Sequence, residues 1–321
     1  MMHTEPPWPV GRQSSSRQRI AATLQVMTRS LFERPVGRRG LLAGGFGLLA
    51  AACAPTAPAS PLVQPRTGQP LTVAVPNSDL AVGKNRFVLA LLDSENRLIP
   101  NARNVVRFYK VRTSATAELK SETTAAYHVI GPGERGIYVT RGEFDEAGAW
   151  GLEVIATLPG GQEQVSRVAF TVNETSKTPA IGARPPATRQ ATLADKPLDK
   201  LCTAKPGDPL HDLTVMDALA AGKPALIMLG SPGFCASATC GPNLEHILKA
   251  RQRLGDRLNW IHVEIYQDAQ PPTLAPAIAE WNLPSEPWIF LVNAAGVVVD
   301  KYEGGVAPAE LDPALDALLT A

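Results

Sequence analysis

Two cysteines five positions apart, Cys235 and Cys240, lie in a segment, 231–243, that reads SPGFCASATCGPN. Before it comes a short apolar run, 225–229, bounded by Pro224 and Gly230, which is the pattern of a buried strand. After it, Leu244, Ile247, Leu248 and Arg251 begin a helical repeat, and Pro242 suits the first helical position. The pair therefore occupies a strand-to-helix turn, where the positive end of a helix eases ionisation of a thiol. Residues five apart inside a helix are separated by about 7.5 Å along its axis. A disulfide needs Cα atoms about 4.4–6.8 Å apart. The two sulfurs can bond only if Cys235 lies in the loop and Cys240 at the helix mouth. Two readings stay open: a redox or metal-binding pair, or structural thiols, bonded or not, that staple a loop.

The order of elements over 201–321 resembles the thioredoxin superfamily. After the cysteine turn and its helix come a strand at 260–266 and a short helix at 276–281. A proline-led strand at 285–292 follows, then a turn at 293–296, a strand at 297–302, Gly304 and Gly305, and a last helix at 308–319. The resemblance implies an α/β thioredoxin-like domain in which Pro287 is cis, packs beside the cysteines and helps dock substrate backbone. It implies Cys235 as nucleophile and Cys240 as resolving thiol. Three departures mark the chain. Four residues separate the cysteines where the family has two. Met228 stands where the family often keeps a buried acid. The stretch from Cys240 to Asn243 itself resembles a family motif whose second cysteine has become Asn243, which keeps Cys240 in play as nucleophile. A spacing of four also occurs in some peroxiredoxins, but those carry a threonine where this chain has Pro232.

The 321 residues allow two domains and a leader. Residues 1–53 have the order of an export signal: basic residues including Arg38 and Arg39, an apolar stretch at 41–52, then Cys53 after three alanines. This resembles a lipoprotein leader, with a twin-arginine element at 37–42, and implies cleavage before Cys53 and acylation of its thiol. A Pro/Ala-rich linker, 54–69, reads as a tether. Residues 70–173 hold apolar alternations at 71–75, 86–92, 104–111, 136–140, 150–156 and 165–172. Short strands at this spacing predict an all-β, immunoglobulin-like sandwich, with Trp150 in its core and His128 as a packed or solvated residue. A second proline-bearing linker covers 174–200. The fold class expected is thus multi-domain: a β-sandwich, then the thioredoxin-like domain.

A net charge of +1 argues against nucleic acid as a partner. Four cysteines are too few for a disulfide scaffold. The third thiol, Cys202, reads as buried, and His211 as packed or capping. The sharper alternative is a copper site of Cys235, Cys240 and His211, because soft ligands suit Cu(I). That would resemble Sco-type copper chaperones, whose histidine, however, follows the cysteines. His262, in a strand, and His246, on the helix after the motif, read as structural. The reading reached is an exported, membrane-anchored thiol–disulfide oxidoreductase acting on exported proteins with thiols or disulfides. The alternatives are a copper chaperone and a thioredoxin-fold interaction protein without redox chemistry.

Overall fold

A computed structural model of the chain describes residues 71–320, apart from 159, 236, 270 and 271. The expectations placed on 1–53, on the tether and on Cys53 fall outside the described residues. No helix among the described residues is long and apolar enough to cross a membrane.

The first part of the described residues is eight antiparallel strands: β1 Thr72–Ala74, β2 Gly83–Leu92, β3 Arg103–Val111, β4 Ala117–Thr123, β5 Ala126–Val129, β6 Gly136–Phe144, β7 Gly148–Thr157 and β8 Glu163–Val172. They form two four-stranded sheets, ordered β1-β2-β6-β5 and β4-β3-β7-β8. Alternating residues of both sheets meet in one apolar cluster, because successive side chains on a strand point to opposite faces. Its centre is aromatic. Phe87 lies edge-on to Phe108 at 4.9 Å, and Phe144 edge-on to Trp150 at 4.9 Å. Trp150 is fully buried, as expected, and donates its indole N–H to the Glu146 carbonyl at 2.9 Å. His128 is half-buried on β5. Strands β4 and β5 have no counterpart in the apolar pattern. β4 is an edge strand, exposed along most of its length, that pairs only with β3, so it needs hydrogen bonds but no apolar face.

The second part is a four-stranded sheet with helices packed on it. Its sheet is ordered β10-β9-β13-β14, from β9 Ala225–Leu229, β10 Asn259–Val263, β13 Trp288–Val292 and β14 Val298–Glu303. β10 runs parallel to β9, while β13 is antiparallel to β9 and β14 to β13. A parallel neighbour needs a crossover, and α3, Cys240–Leu254, supplies it. Earlier come the single turn α1, Leu198–Leu201, and α2, Val215–Ala220; later come α4, Pro276–Glu280, and α5, Pro308–Leu318. A small hairpin, β11 Tyr266–Ala269 with β12 Pro272–Leu274, follows β10. β9 is buried along its whole length, as its unbroken apolar run requires. Leu226 and Met228 face the α3/α5 side; Ile227 and Leu229 face the α2/α4 side.

Residues 174–200, expected as a linker, run against this second part. Gly182 donates to the Val298 carbonyl at 2.8 Å, and Val298 donates to that of Ala183 at 2.9 Å. The Trp281 indole donates to the Thr188 hydroxyl at 2.8 Å. Polar ties join the β-sheet part to β14 and α5. Arg86 of β2 reaches Glu310 at 2.7 Å and the carbonyls of Glu303 and Gly305. Asp79 accepts from Lys177 and Thr178 N–H groups and pairs with Lys301 at 3.3 Å. Burial works against the Asp79 charge, but those hydrogen bonds and Lys301 carry its pKa down to about 2.

Candidate functional site

Cys235 and Cys240 form a disulfide with Cα atoms 6.0 Å apart. Cys235 sits in the loop and Cys240 is the first residue of α3, the one arrangement that the spacing permits. The helix begins earlier than Pro242 suggests: Pro242 is its third residue, still in the first turn, where a missing N–H breaks no helical bond. One of the orphan N–H groups of that turn, that of Cys240, points at the Cys235 sulfur at 3.2 Å. The Ser237 hydroxyl lies 3.2 Å from the same sulfur. Cys235 is half-buried and reachable; Cys240 is fully buried. Beside them Phe234, 41 % exposed, meets Tyr266 edge-on.

The Glu286–Pro287 bond is cis. Gly230, which ends β9, lies between this proline and the pair. A Cβ there would stand 3.1 Å from Pro287 Cβ and 3.4 Å from Cys240 Sγ, so a side chain would push these neighbours apart by a few tenths of an ångström. The cis bond expected at Pro287 is present. Glu286 brings a carboxylate oxygen to 4.0 Å from Cys240 Sγ. Met228, at the position of the missing acid, is buried and touches the same glycine. Cys235, Cys240 and Glu286 hold their ligand atoms within 4.8 Å of one another.

His211 is not with them. It belongs to a second cluster, with Cys202, Asp208 and His262, all buried. The copper set Cys235, Cys240 and His211 is therefore corrected: Thr203 touches the cysteine turn, but the chain then runs beside β10, where the His262 backbone N–H bonds the Leu210 carbonyl at 2.9 Å and His211 joins the other cluster. Cys202 donates to Asp208 Oδ2 at 2.9 Å, which also receives His262 Nδ1 at 2.8 Å and His211 Nε2 at 3.2 Å. Burial opposes every charge here, and the hydrogen bonds overcome it. Asp208 is held well below the usual carboxylate range by His211 and His262, and His262 is raised to about 10 mainly by Asp208. His211 is raised, again chiefly by Asp208, and the Cys202 thiol is lowered by the two histidines. His246 bonds the Val306 carbonyl at 3.0 Å and joins neither cluster.

A further polar chain ties the first half of the cysteine loop down. Ser231 donates to Glu264, whose other oxygen accepts the N–H and hydroxyl of Thr203 at 2.6 and 2.8 Å. Gly233 donates to Thr203 at 3.0 Å. Sequence reasoning missed Asp208, Glu264 and Glu286. For Asp208 a signal existed: three potential ligands, Cys202, Asp208 and His211, fall within ten residues.

No family model matches the chain, and no curated protein matches it either. Among solved structures it is similar to a thiol:disulfide interchange protein of the thioredoxin family from Chlorobium tepidum TLS. That likeness has 16% identity and a TM-score of 0.31, and covers 44% of this chain and 98% of that one. It is also similar to CopC from Methylosinus trichosporium OB3b, at 11% identity and a TM-score of 0.23, over 33% of this chain and 94% of that one. Both likenesses are too loose to assign a property to this chain, so the residues themselves have to carry the reading.

Proposed function

We propose that the chain is a thiol–disulfide oxidoreductase working through Cys235 and Cys240 on a thioredoxin-like domain at 201–321. One observation carries this: the reachable sulfur, Cys235, receives a helix-mouth N–H from Cys240 while its partner sulfur is buried behind it. The orphan N–H stabilises a Cys235 thiolate. In the reduced protein that thiolate attacks a substrate disulfide, and the expelled substrate sulfur leaves as thiolate. Cys240 then gives up its proton and attacks the mixed disulfide, releasing the second substrate sulfur and re-forming the 235–240 bond. Two electrons pass to the substrate, and a thiol donor restores the pair. Glu286, with a carboxylate oxygen 4.0 Å from Cys240 Sγ, takes the Cys240 proton, the role of the acid that Met228 replaces. Pro287 helps dock substrate backbone beside the pair.

The rest of the chain supports an envelope setting. In this reading 1–53 is a leader removed before Cys53, and the acylated thiol holds the protein to a membrane through the 54–69 tether. Residues 70–173 are an immunoglobulin-like sandwich serving as spacer or binding module, 174–200 is a packed connector, and the partners are exported proteins with thiols or disulfides. Copper is the second reading, favoured by the convergence of Cys235, Cys240 and Glu286 once the disulfide is reduced. Its third ligand is then a hard carboxylate rather than an imidazole, which suits Cu(I) poorly. Purified protein assayed for insulin-disulfide reduction, and for copper retained against a competing chelator, separates the two. Reduction without retained copper supports exchange, and the reverse result overturns it. Mass spectrometry of membrane-extracted protein tests the leader: an unmodified Cys53 would remove the anchor.

A further inference from the structure

The second cluster is used by no step of the exchange reaction. Its four side chains come from two separate stretches: Cys202, Asp208 and His211 from the loop after α1, and His262 from the middle of β10. Each offers one ligand atom, all four within 4.8 Å of one another and all buried. One sulfur, two imidazole nitrogens and one carboxylate oxygen make a closed set of the kind that structural zinc sites use. The distances from Asp208 Oδ2 to the other three atoms, 2.8, 2.9 and 3.2 Å, are hydrogen-bond lengths; bonds of about 2.0–2.3 Å give a tetrahedron edges of about 3.3–3.8 Å, so the oxygen has to draw back by up to about 0.6 Å to admit an ion.

The surroundings orient the ligands. His262 Nε2 faces the Gly230 carbonyl at 2.9 Å. A carbonyl only accepts, so Nε2 carries the hydrogen and a neutral His262 turns a bare Nδ1 lone pair toward the cluster. A backbone carbonyl behind a ligating histidine is the usual outer partner of a metal site. The second Asp208 oxygen, Oδ1, is fixed by the Leu210 N–H at 3.0 Å. Charge closes as well. A thiolate, a carboxylate and two neutral imidazoles balance a dication, leaving no net charge in a buried place. Without a cation, a single oxygen must take all three neighbours as donors.

We propose that Cys202, Asp208, His211 and His262 bind one Zn²⁺-class divalent cation, which pins the 202–211 loop to β10. On binding, Cys202 releases its thiol proton to solvent and His211 carries its hydrogen on Nδ1, freeing Nε2 for the ion. Through His262 and Gly230 the site braces the end of β9, against which Pro287 and Cys240 pack.

The test uses the full chain carrying Cys53→Ser, with the 235–240 disulfide intact so that Cys202 is its single thiol. It is refolded from denaturant with Zn²⁺, dialysed against a mild chelator and analysed for metal. The expected result is about one zinc per chain, as a site coupled to folding retains its ion. Refolding with Co²⁺ should give a thiolate-to-cobalt charge-transfer band. Cys202→Ala and His211→Gln should each lose the zinc and the band. The Cys235→Ser, Cys240→Ser double variant should keep its zinc. A parent protein that retains no zinc and shows no thiolate band overturns the proposal, whether or not the variants fold. So does zinc that disappears only in the double variant.

Discussion

Among the described residues the molecule holds two cysteine centres in the same part of the fold, and they have opposite surroundings. Cys235 lies in a loop, with the Cys240 N–H and the Ser237 hydroxyl at its sulfur. Cys202 is buried and bound to a carboxylate that also binds two histidines. A thiol can serve exchange only if its thiolate is stabilised and a partner can reach it. The first centre meets both conditions. The second is surrounded by charge-stabilising groups but is closed to any partner. Cysteine type alone predicts neither role; access decides between them.

The largest effect should separate the centres by activity. Cys235→Ser should lower insulin-disulfide reduction by about 100-fold or more, since no neighbouring thiol replaces an exchange nucleophile. Cys202→Ala should leave the rate of the folded protein within about twofold. A comparable loss in both would erase the distinction.

Stability should separate them in the other direction. Asp208→Ala strips the shared partner from two buried histidines and a thiol. It should cost about 3–5 kcal/mol in denaturant unfolding, while exchange by the folded fraction persists. A cost below about 1 kcal/mol, the range of an exposed pair, would mean the cluster is not the tie described.

The pH dependence of metal-free protein sharpens the same point. His262 has its pKa raised to about 10, so its contribution is complete below its ordinary 6.5 and is lost as pH rises through 10. His211 is raised too and acts in the same direction. Asp208 is lowered, so its contribution is present above 3.8 and is lost on acidification. Cys202 is lowered from 9.0, so it returns some stability as pH rises toward 9.0, partly offsetting the histidines, and Glu264 sits 4.0 Å from His262 Nε2 on the far side. Unfolding free energy should therefore be greatest between about pH 4 and 6.5 and fall by about 2–3 kcal/mol toward pH 9. A flat urea midpoint from pH 6 to 9 would contradict this assignment of charge.

The smallest effect is at the reachable sulfur. Ser237→Ala removes one hydroxyl contact to Cys235, worth about 0.5–1 kcal/mol, and should slow exchange about two- to fivefold. An unchanged rate would leave the helix N–H as the sole stabiliser.

Much of this was legible in the residues. The buried strand at 225–229, the helix after the cysteines and the strand opening at Pro287 follow from apolar runs and proline placement, and the structure has each. Helix rise and the position of Pro242 pointed to the loop-and-mouth placement as the one in which the two cysteines can bond. Strand β4 was not legible because an exposed edge strand needs no apolar face. Neither was the packing of 174–200: its proline content resembles a tether, but its backbone pairs with Val298 and its Thr188 caps an indole. The second cluster was hidden for another reason. His262 is 51 residues from His211, and only the docking of the 202–211 loop beside β10, through the His262 backbone N–H to the Leu210 carbonyl, brings them together.

The central claim is that Cys235 attacks and Cys240 resolves. Cells expressing the full chain with Cys240→Ser or with Cys235→Ser, compared on non-reducing gels, test it directly. The account predicts mixed disulfides accumulating with Cys240→Ser and none with Cys235→Ser, because the buried sulfur cannot meet a bulky partner. Adducts on the Cys235→Ser protein alone would reverse the roles, and adducts on neither would contradict the exchange reaction itself.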